Sequence, residues 1–409
     1  MKLPFFIARR YLFSKKSHNV INLISIISMV AVGVGSFALI VVMSAFNGLE
    51  DLVASLYSTF DPDIKISIKE GKTFDHAAFP EAELRAIPGV VHYTRVIEET
   101  ALLKYKDNQS IAVVKGVEPD FLEMSDLELM KTDGNIALQE GGADACILGY
   151  GIAYNLAVFV EHAFDPISVH AANREGKLQP NNPAAAFRRK GIRAGGIFAI
   201  NPDFNDKYVL VPLHFAQDLF QYSTEVTGVE IGLEPGTNEG QVRDKIAAIL
   251  GDDFNVKTRY QLNEIIYKTN ETEKWIAFLI VTFILIIATF NIIGSLVMLI
   301  IEKKKDIFTL KSMGATRGMV KGIFVVEGVL ITGIGGILGL VIGVLTVLAQ
   351  QTFGLVELEN VIVPYYPVQL SMIDLAAIFG TVVVIGFLSS WFPVQLVVGR
   401  AFERFNARP

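Results

Sequence analysis

The side chains able to hold a metal or act as nucleophile or base are sparse, and their spacing builds no known site. The six histidines, at 18, 76, 92, 162, 170 and 214, show no H-E-x-x-H or other ligand spacing, which a zinc site uses to set two imidazoles on one helix face. Cys146 is the single cysteine. It permits neither a disulfide framework nor a cysteine zinc site, and a small buried apolar residue is its expected role. No G-x-S-x-G nucleophile elbow occurs. Gly71-Lys72-Thr73 comes nearest to a nucleotide-binding P-loop, but position 66, where the motif needs its first glycine, is Ile66. The expectation is no catalytic residue, no metal and no cofactor in this chain.

The elements that carry these residues are set by composition. With 51% hydrophobic residues, 19% charged and a mean hydropathy of +0.43, the chain is a membrane protein. A net charge of −6 excludes a generally basic nucleic-acid binder. Four uncharged apolar runs are long enough to cross a hydrocarbon core of ~30 Å. They span 20–46, 275–301, 329–349 and 373–398, with Asp374 at the edge of the last. The first is preceded by Lys2, Arg9, Arg10, Lys15 and Lys16. It is too long for a signal-peptide core, and Ser44-Ala45-Phe46-Asn47 lacks a cleavage pattern, so it reads as an uncleaved span.

An ion-coupled pump needs ionisable groups at bilayer depth, and the interiors of these runs hold none. Asn291 is expected to make an interhelical hydrogen bond in span two. Gly335, Gly339 and Gly343, four residues apart in span three, let another helix approach closely.

Lys and Arg near the span ends give the orientation. The arm 1–19, the loop 302–328 and the tail 399–409 together carry fourteen, including Arg400, Arg404 and Arg408, while the loop 350–372 carries Glu357 and Glu359 and no base. The expected topology has both termini in the cytoplasm and the segment 47–274 outside. That segment holds 22 Lys and Arg against 35 Asp and Glu, so its surface is acidic and anionic lipid attracts it little.

The fold class expected is a membrane protein of four transmembrane α-helices with a large α+β extracytoplasmic domain between helices 1 and 2. Asp63 to Ile68, Val90 to Val117, Glu225 to Leu233 and Asn255 to Thr258 read as strands, and Glu81 to Ile87 and Gln241 to Leu250 as helices. One α+β subdomain is expected from 60–129 with 218–262, and an inserted β-rich subdomain from 130–217. Ala171 to Gly191, rich in Pro, Asn and base, reads as a loop or hairpin tip, with Arg188, Arg189, Lys190 and Arg193 either contacting a partner or aiding solubility.

The loop 302–328 is patterned rather than loose. Ile307, Leu310 and Met313 form an apolar stripe, Gly314 supplies a helix stop, and Thr316 can cap the next helix. A short amphipathic helix on the cytoplasmic face follows, which the Lys303 to Lys305 cluster would also suit to a lipid surface.

Here the residues resemble the FtsX-like permease signature. Glu302, Asp306, Ile307, Leu310, Lys311, Gly314, Ala315 and Thr316 match E-x-x-x-D/E-I-x-x-L-K-x-x-G-A-T, and Glu327, Gly328, Gly335, Gly336 and Gly339 match its later glycine pattern. Ala8 to Tyr11, Ile24 to Met29 and Phe46-Asn47-Gly48, with Ile147 to Gly149 and Glu273-Lys274-Trp275, look like the lipoprotein-releasing ABC permeases of the LolC/LolE type.

The resemblance covers nearly the whole chain. It implies a bacterial inner-membrane permease with a MacB-like periplasmic domain, an FtsX-like domain at about 275–401, and a separate LolD-like ATPase dimer that binds ATP and Mg. The helix at 302–316 would be the coupling helix. Also implied are a second permease, identical or related, membrane lipid, lipoprotein cargo and a LolA-like periplasmic carrier; Ala171 to Gly191 sits where one permease of the usual pair carries a carrier-binding hook, without a clear match to it. The work expected is mechanotransmission without a pore. Withdrawing a chain of about sixteen carbons costs on the order of 13 kcal/mol at ~0.8 kcal/mol per CH₂, so an apolar cavity must receive it. Val42, Met43, Phe46 and Leu49, faced by Ile276, Leu279, Ile280 and Phe283, are the expected lining. A MacB-like efflux or FtsX-like signalling permease acting on a periplasmic partner is the alternative.

Overall fold

The computed structural model describes residues 2–12, 19–163, 165–174, 186–358 and 363–406. Lys15, Lys16, Glu359, Arg408 and 175–185 of the basic, Asn-rich segment lie outside the described residues. Two compact units form, a span unit of Met1–Leu52 with Lys268–Pro409 and an interspan unit of Val53–Tyr267.

The helices are α1 (Lys2–Leu12), α2 (Asn19–Ser58), α3 (Glu81–Arg85), α4 (Asp120–Met124), α5 (Tyr150–Leu156), α6 (Pro202–Asn205), α7 (Leu213–Phe220), α8 (Glu239–Leu250), α9 (Arg259–Leu262), α10 (Glu264–Glu302), α11 (Lys304–Ser312), α12 (Arg317–Phe353) and α13 (Met372–Asn406). Within α2, α10, α12 and α13, four segments are long and apolar enough to cross a membrane. The helices outrun the apolar runs because amphipathic periodicity continues beyond them. In α2, Val53, Leu56 and Tyr57 pack on the interspan core, and α10 begins at Glu264, with Ile266 on that same core. Residues 317–328, expected as loop, are the first turns of α12, because Val320, Ile323 and Phe324 are buried at helical spacing.

Asn291 is exposed, contrary to the expected interhelical bond. The 3.6-residue period turns Leu285, Thr289, Ile292 and Leu296 inward instead, and Ser295 makes the polar link, its Oγ 3.1 Å from Ser25 Oγ on α2.

The strands are β1 (Ile64–Ile68), β2 (Phe74–Asp75), β3 (Val90–Tyr105), β4 (Asn108–Val117), β5 (Lys131–Gly134), β6 (Gln139–Glu140), β7 (Ala143–Gly149), β8 (Ile167–Ala172), β9 (Phe187–Phe198), β10 (Tyr208–Pro212), β11 (Glu225–Val226), β12 (Gly228–Leu233) and β13 (Phe254–Thr258). Eleven join one sheet ordered β13-β1-β12-β3-β4-β10-β7-β9-β5, with β6 on β7 and β8 bridging β3 and β9. The sheet therefore runs on through the expected subdomain boundary at 129–130. The cause is β3, sixteen residues long, which pairs β12 through its first half (Val96 with Gly228) and β8 near its end (Leu102 with His170).

Cores fill both ends of this sheet. Ile64, Ile66, Val229 and Ile231 pack under Leu84 of α3 and Val242 and Ile246 of α8, while Val114, Leu148, Val169 and Val209 pack under α5 and α7. Cys146 is fully buried there, and burial pushes its thiol up to about 12, as befits a structural residue. Phe60, just past α2, is ringed by Phe121, Phe198, Phe204 and Tyr208 at centroid distances of 4.6 to 6.0 Å. Beside it sits an ionic tetrad in which Lys115 and Glu230 are buried and Lys65 and Glu98 half-buried. Lys115 Nζ lies 2.8 Å from Glu230 and 3.6 Å from Glu98, and Lys65 Nζ lies 2.8 Å from Glu98 and 3.4 Å from Glu230.

Candidate functional site

Three places bring together residues that the sequence singles out. The first is the turn from α11 to α12. Gly314 adopts φ +88°, a left-handed conformation that glycine takes without strain, and so ends α11. Thr316 Oγ1 then accepts from Met319 N at 3.3 Å and starts α12. Ala315 N closes the turn on Leu310 O at 2.9 Å. Ile307 is buried among Leu299, Val320, Phe324, Val394 and Val398, and Leu310 is half-buried. Met313 does not continue the stripe; it follows the last helical turn and is 71% exposed. The outward side of α11 instead shows Lys304, Lys305 and Phe308.

Asp306 and Lys303 face α1. The Tyr11 hydroxyl donates to Asp306, and burial, with that carboxylate adding, pushes the phenol up to about 12. Lys303 Nζ stands 5.2 Å from the Tyr11 ring and 3.9 Å from Asp306. Sequence reasoning did not assign α1 to this cluster, although Tyr11 belongs to a segment it marked.

The second place is the crossing of α2 and α12. A Cβ on Gly335 would lie 2.3 Å from the Met29 carbonyl oxygen, and one on Gly339 would lie 2.1 Å from that of Gly33. At Gly343 the nearest atom is Ile40 Cβ, 3.1 Å away. Backbone meets backbone at the first two, a spacing only glycine allows.

The third place lies around Met43, Asn47 and Gly48 of α2. Met43 is buried, and a cavity of about 230 Å³ joins it to Trp275 and Phe278 of α10 and Ile378 of α13, with Glu50, Glu271, Lys274 and Asp374 around it. Ile276, Leu279, Ile280 and Phe283 do not face Met43; all four are exposed, because Phe278, Val281 and Leu285 take the inward side of that helix, and Trp275, though it lines the cavity's rim, is itself 59% exposed. Val42, Phe46 and Leu49 are half-buried on α2. Asn47 Nδ2 donates to Asp374 Oδ2 at 2.7 Å and to Gln369 O at 3.3 Å, and Gln369 N donates to Ser44 O at 2.8 Å. A Cβ at Gly48 would lie 2.4 Å from the Pro367 carbonyl carbon, so the Asn47-Gly48 pair is what lets the 363–371 segment cross α2.

In the interspan unit, β8 and β9 form a hairpin from Ile167 with Ile192 to Ala172 with Phe187. Arg188, Arg189 and Lys190 are therefore strand residues, not loop. Arg188 and Lys190 reach Asp218 at 2.5 and 2.7 Å, while Arg189 and Arg193 are exposed on the other side. His92, Asp120 and Glu123 gather within ligand reach of one another, but Asp120 already accepts from Tyr93 N at 3.0 Å and lies 3.3 Å from His92 Nδ1.

Comparison with known proteins follows this division. Residues 25–249 match the MacB-like periplasmic core domain, and residues 278–401 match the FtsX-like permease C-terminal region. Lipoprotein-releasing system transmembrane protein LolE of Haemophilus influenzae is 25% identical over 417 residues, covering 97% of each chain. Lipoprotein-releasing system transmembrane protein LolC of Neisseria meningitidis serogroup B is 24% identical over 412 residues, covering 96% of this chain and 95% of that one. The periplasmic region of MacB from Actinobacillus actinomycetemcomitans is similar to 53% of this chain at 10% identity and a TM-score of 0.36, with 97% of that structure covered. More than half of the chain falls in the first family model and three of its four spans in the second, and the chain thus belongs to the ABC-transporter permeases with a MacB-like periplasmic core and an FtsX-like C-terminal region, of the LolC/LolE type.

Proposed function

We propose that this chain is the permease subunit of an ABC transporter that extracts lipoproteins from the outer leaflet of the bacterial inner membrane and hands them to a LolA-like periplasmic carrier. The observation that supports it most is the match, over nearly the full length, to proteins named for lipoprotein release. Both termini lie in the cytoplasm, where the basic residues concentrate. The chain itself holds no cofactor; a LolD-like ATPase dimer beneath the membrane binds ATP and Mg.

In this reading α11 and the 313–316 turn receive the ATPase's movement. Ile307 fastens α11 to the ends of α10, α12 and α13, so a push on the helix reaches the spans rather than only bending a loop. Helices α2 and α10 each contribute residues to both units. Displacing them shifts the interspan domain without any pore. Ile276, Leu279, Ile280 and Phe283, exposed in a single chain, meet the cargo's hydrocarbon together with a second permease, identical or related. The β8–β9 hairpin, with Arg189 and Arg193 on its free side, is the contact for the carrier.

Two substitutions test this in a complex purified in mild detergent with its ATPase. Leu310→Asp should reduce the copurified ATPase, or its lipoprotein-stimulated hydrolysis, by about ten-fold, the effect of roughly 1.4 kcal/mol lost at a contributing interface residue. Unchanged values for both would remove α11 from the interface. Leu279→Asp should leave ATPase assembly intact and stop release from proteoliposomes, because a charge on this face opposes entry of an acyl chain. Leu279 is the better test than Met43, whose burial would make an aspartate unfold the bundle. Normal release by Leu279→Asp would exclude the face.

A further inference from the structure

The cavity beside Met43 is closed by an ionic contact that differs from every other joint around it. On one side, α2 is pinned to the 363–371 segment and α13 by the Asn47 bonds to Asp374 and Gln369, by Gln369 N on Ser44 O, and by the backbone approach at Gly48. Two of those bonds, at 2.7 and 2.8 Å, are short, and two use main-chain atoms. On the other side, α10 meets this joint through Lys274, whose Nζ lies 3.7 Å from Asp374 Oδ2 and 3.9 Å from Glu50 Oε2.

Both distances exceed the ~2.7–2.9 Å of a formed charge-assisted bond. The ammonium is shared between acceptors on two helices, and Asp374 has its 2.7 Å bond from Asn47 whether or not Lys274 stays. The balance of charge adds to the asymmetry. Glu50, Glu271 and Asp374 surround one lysine. With Lys274 in place the carboxylates are partly compensated; with it withdrawn they repel one another and the closed arrangement loses its attraction. Beside these charges Met43, Trp275, Phe278, Ala377 and Ile378 give the cavity apolar walls. A polar tie beside apolar walls has the form of an entrance for a hydrocarbon chain.

We propose that Lys274 is the positioning residue of a lateral gate: it holds α10 against α2 and α13 over this cavity, and its release in the transport cycle lets α10 swing away and admits an acyl chain. The identity of the cargo rests on the lipoprotein-release reading; the movement of α10 does not.

The test uses the full chain with its copurified ATPase in proteoliposomes. Trp275→Cys on α10 with Ala377→Cys on α13 gives a thiol pair on the two sides of the gate with Lys274 kept, and the native Cys146 is 0% exposed, so a short bis-maleimide reads only the introduced pair. The expected result is a bridging rate that differs about ten-fold between nucleotide-free protein and protein trapped with ATP and vanadate, the scale of ordinary coupling between sites. Equal rates in the two states would overturn the gate. Once bridged, the protein should release lipoprotein about ten-fold more slowly than protein labelled at one cysteine; undiminished release by the bridged protein would also overturn it. Lys274→Gln should hydrolyse ATP yet release poorly, and Lys274→Arg, which keeps the charge, should restore release; equal release by the two would contradict a charge-based tie. A nucleotide-dependent bridging rate in a complex that frees no lipoprotein even before substitution would keep the gate and discard the cargo.

Discussion

Glu230→Gln is expected to lower the stability of the interspan domain by about 3–5 kcal/mol, the cost of breaking a buried ion pair and leaving a charge uncompensated. Glu230 is 0% exposed and Lys115 is 1% exposed. Their 2.8 Å contact lies outside hydrogen-bond angles, so Coulomb attraction rather than a directional bond carries it. Removing one carboxylate from a set of two lysines and two glutamates leaves an ammonium facing the rings of Phe60 and Phe121, at 4.7 and 4.4 Å, which repay little of its lost hydration. Pulse proteolysis of residues 53–267 in the intact protein reads the change. The double substitution Glu230→Leu with Lys115→Met should recover most of it, because two apolar side chains need no partner. A single-substitution loss below about 1 kcal/mol would mean that water reaches the tetrad.

The same tetrad sets an acid limit. Burial alone would raise Glu98, but Lys65 and Lys115 outweigh it and hold the carboxyl down at about 2, against 4.5 ordinarily. Lys65 is held above its usual value by Glu98 and Glu230, which outweigh its own burial. A carboxyl depressed on folding stabilises the native state fully above 4.5, and that stabilisation is lost as pH falls from 4.5 towards 2. Glu98→Gln should abolish this step while leaving a less stable domain at neutral pH.

The four spans, the α11 turn and most of the peripheral strands are legible in the sequence, because apolar runs, a Gly314-Ala315-Thr316 stop and start, and alternating strands are local signals. The continuity of the sheet is not local. It depends on β3 pairing with β12 and with β8 at different points of one long strand, and nothing in Val90 to Tyr105 names those partners. The tetrad was hidden for the same reason, since Lys65, Glu98, Lys115 and Glu230 come from four strands that only the fold makes neighbours. The cavity was half legible. Met43 could be picked as an apolar residue near a span end, but the rotation of α10 that turns Phe278 inward and Leu279 outward is decided by packing, in a helix apolar on every side. Asn47-Gly48 stood out as a pattern before it had a reason; the reason is the segment that crosses it.

Gly339→Leu should prevent assembly of the permease. In water a tight core answers an added methyl by shifting side chains at a cost of about 1–3 kcal/mol. At Gly339 the obstacle is the Gly33 carbonyl at 2.1 Å, part of a helix backbone that also faces Gly335 through Met29 at 2.3 Å. Neither carbonyl can rotate away without breaking its own helix bond, so α2 and α12 must separate along the whole crossing. Membrane helices have no hydrophobic drive to stay together once close packing is gone. The measurement is the yield of monodisperse, ATPase-bound protein in mild detergent, with even Gly339→Ala expected to reduce it. Gly333→Ala is the control on the same helix, because a Cβ there meets nothing within 4 Å and replaces glycine by a better helix former worth about 0.5–1 kcal/mol. If Gly339→Leu matched Gly333→Ala in yield, the two helices would not need this crossing, and a push received at α11 would have no fixed path through α12 to α2.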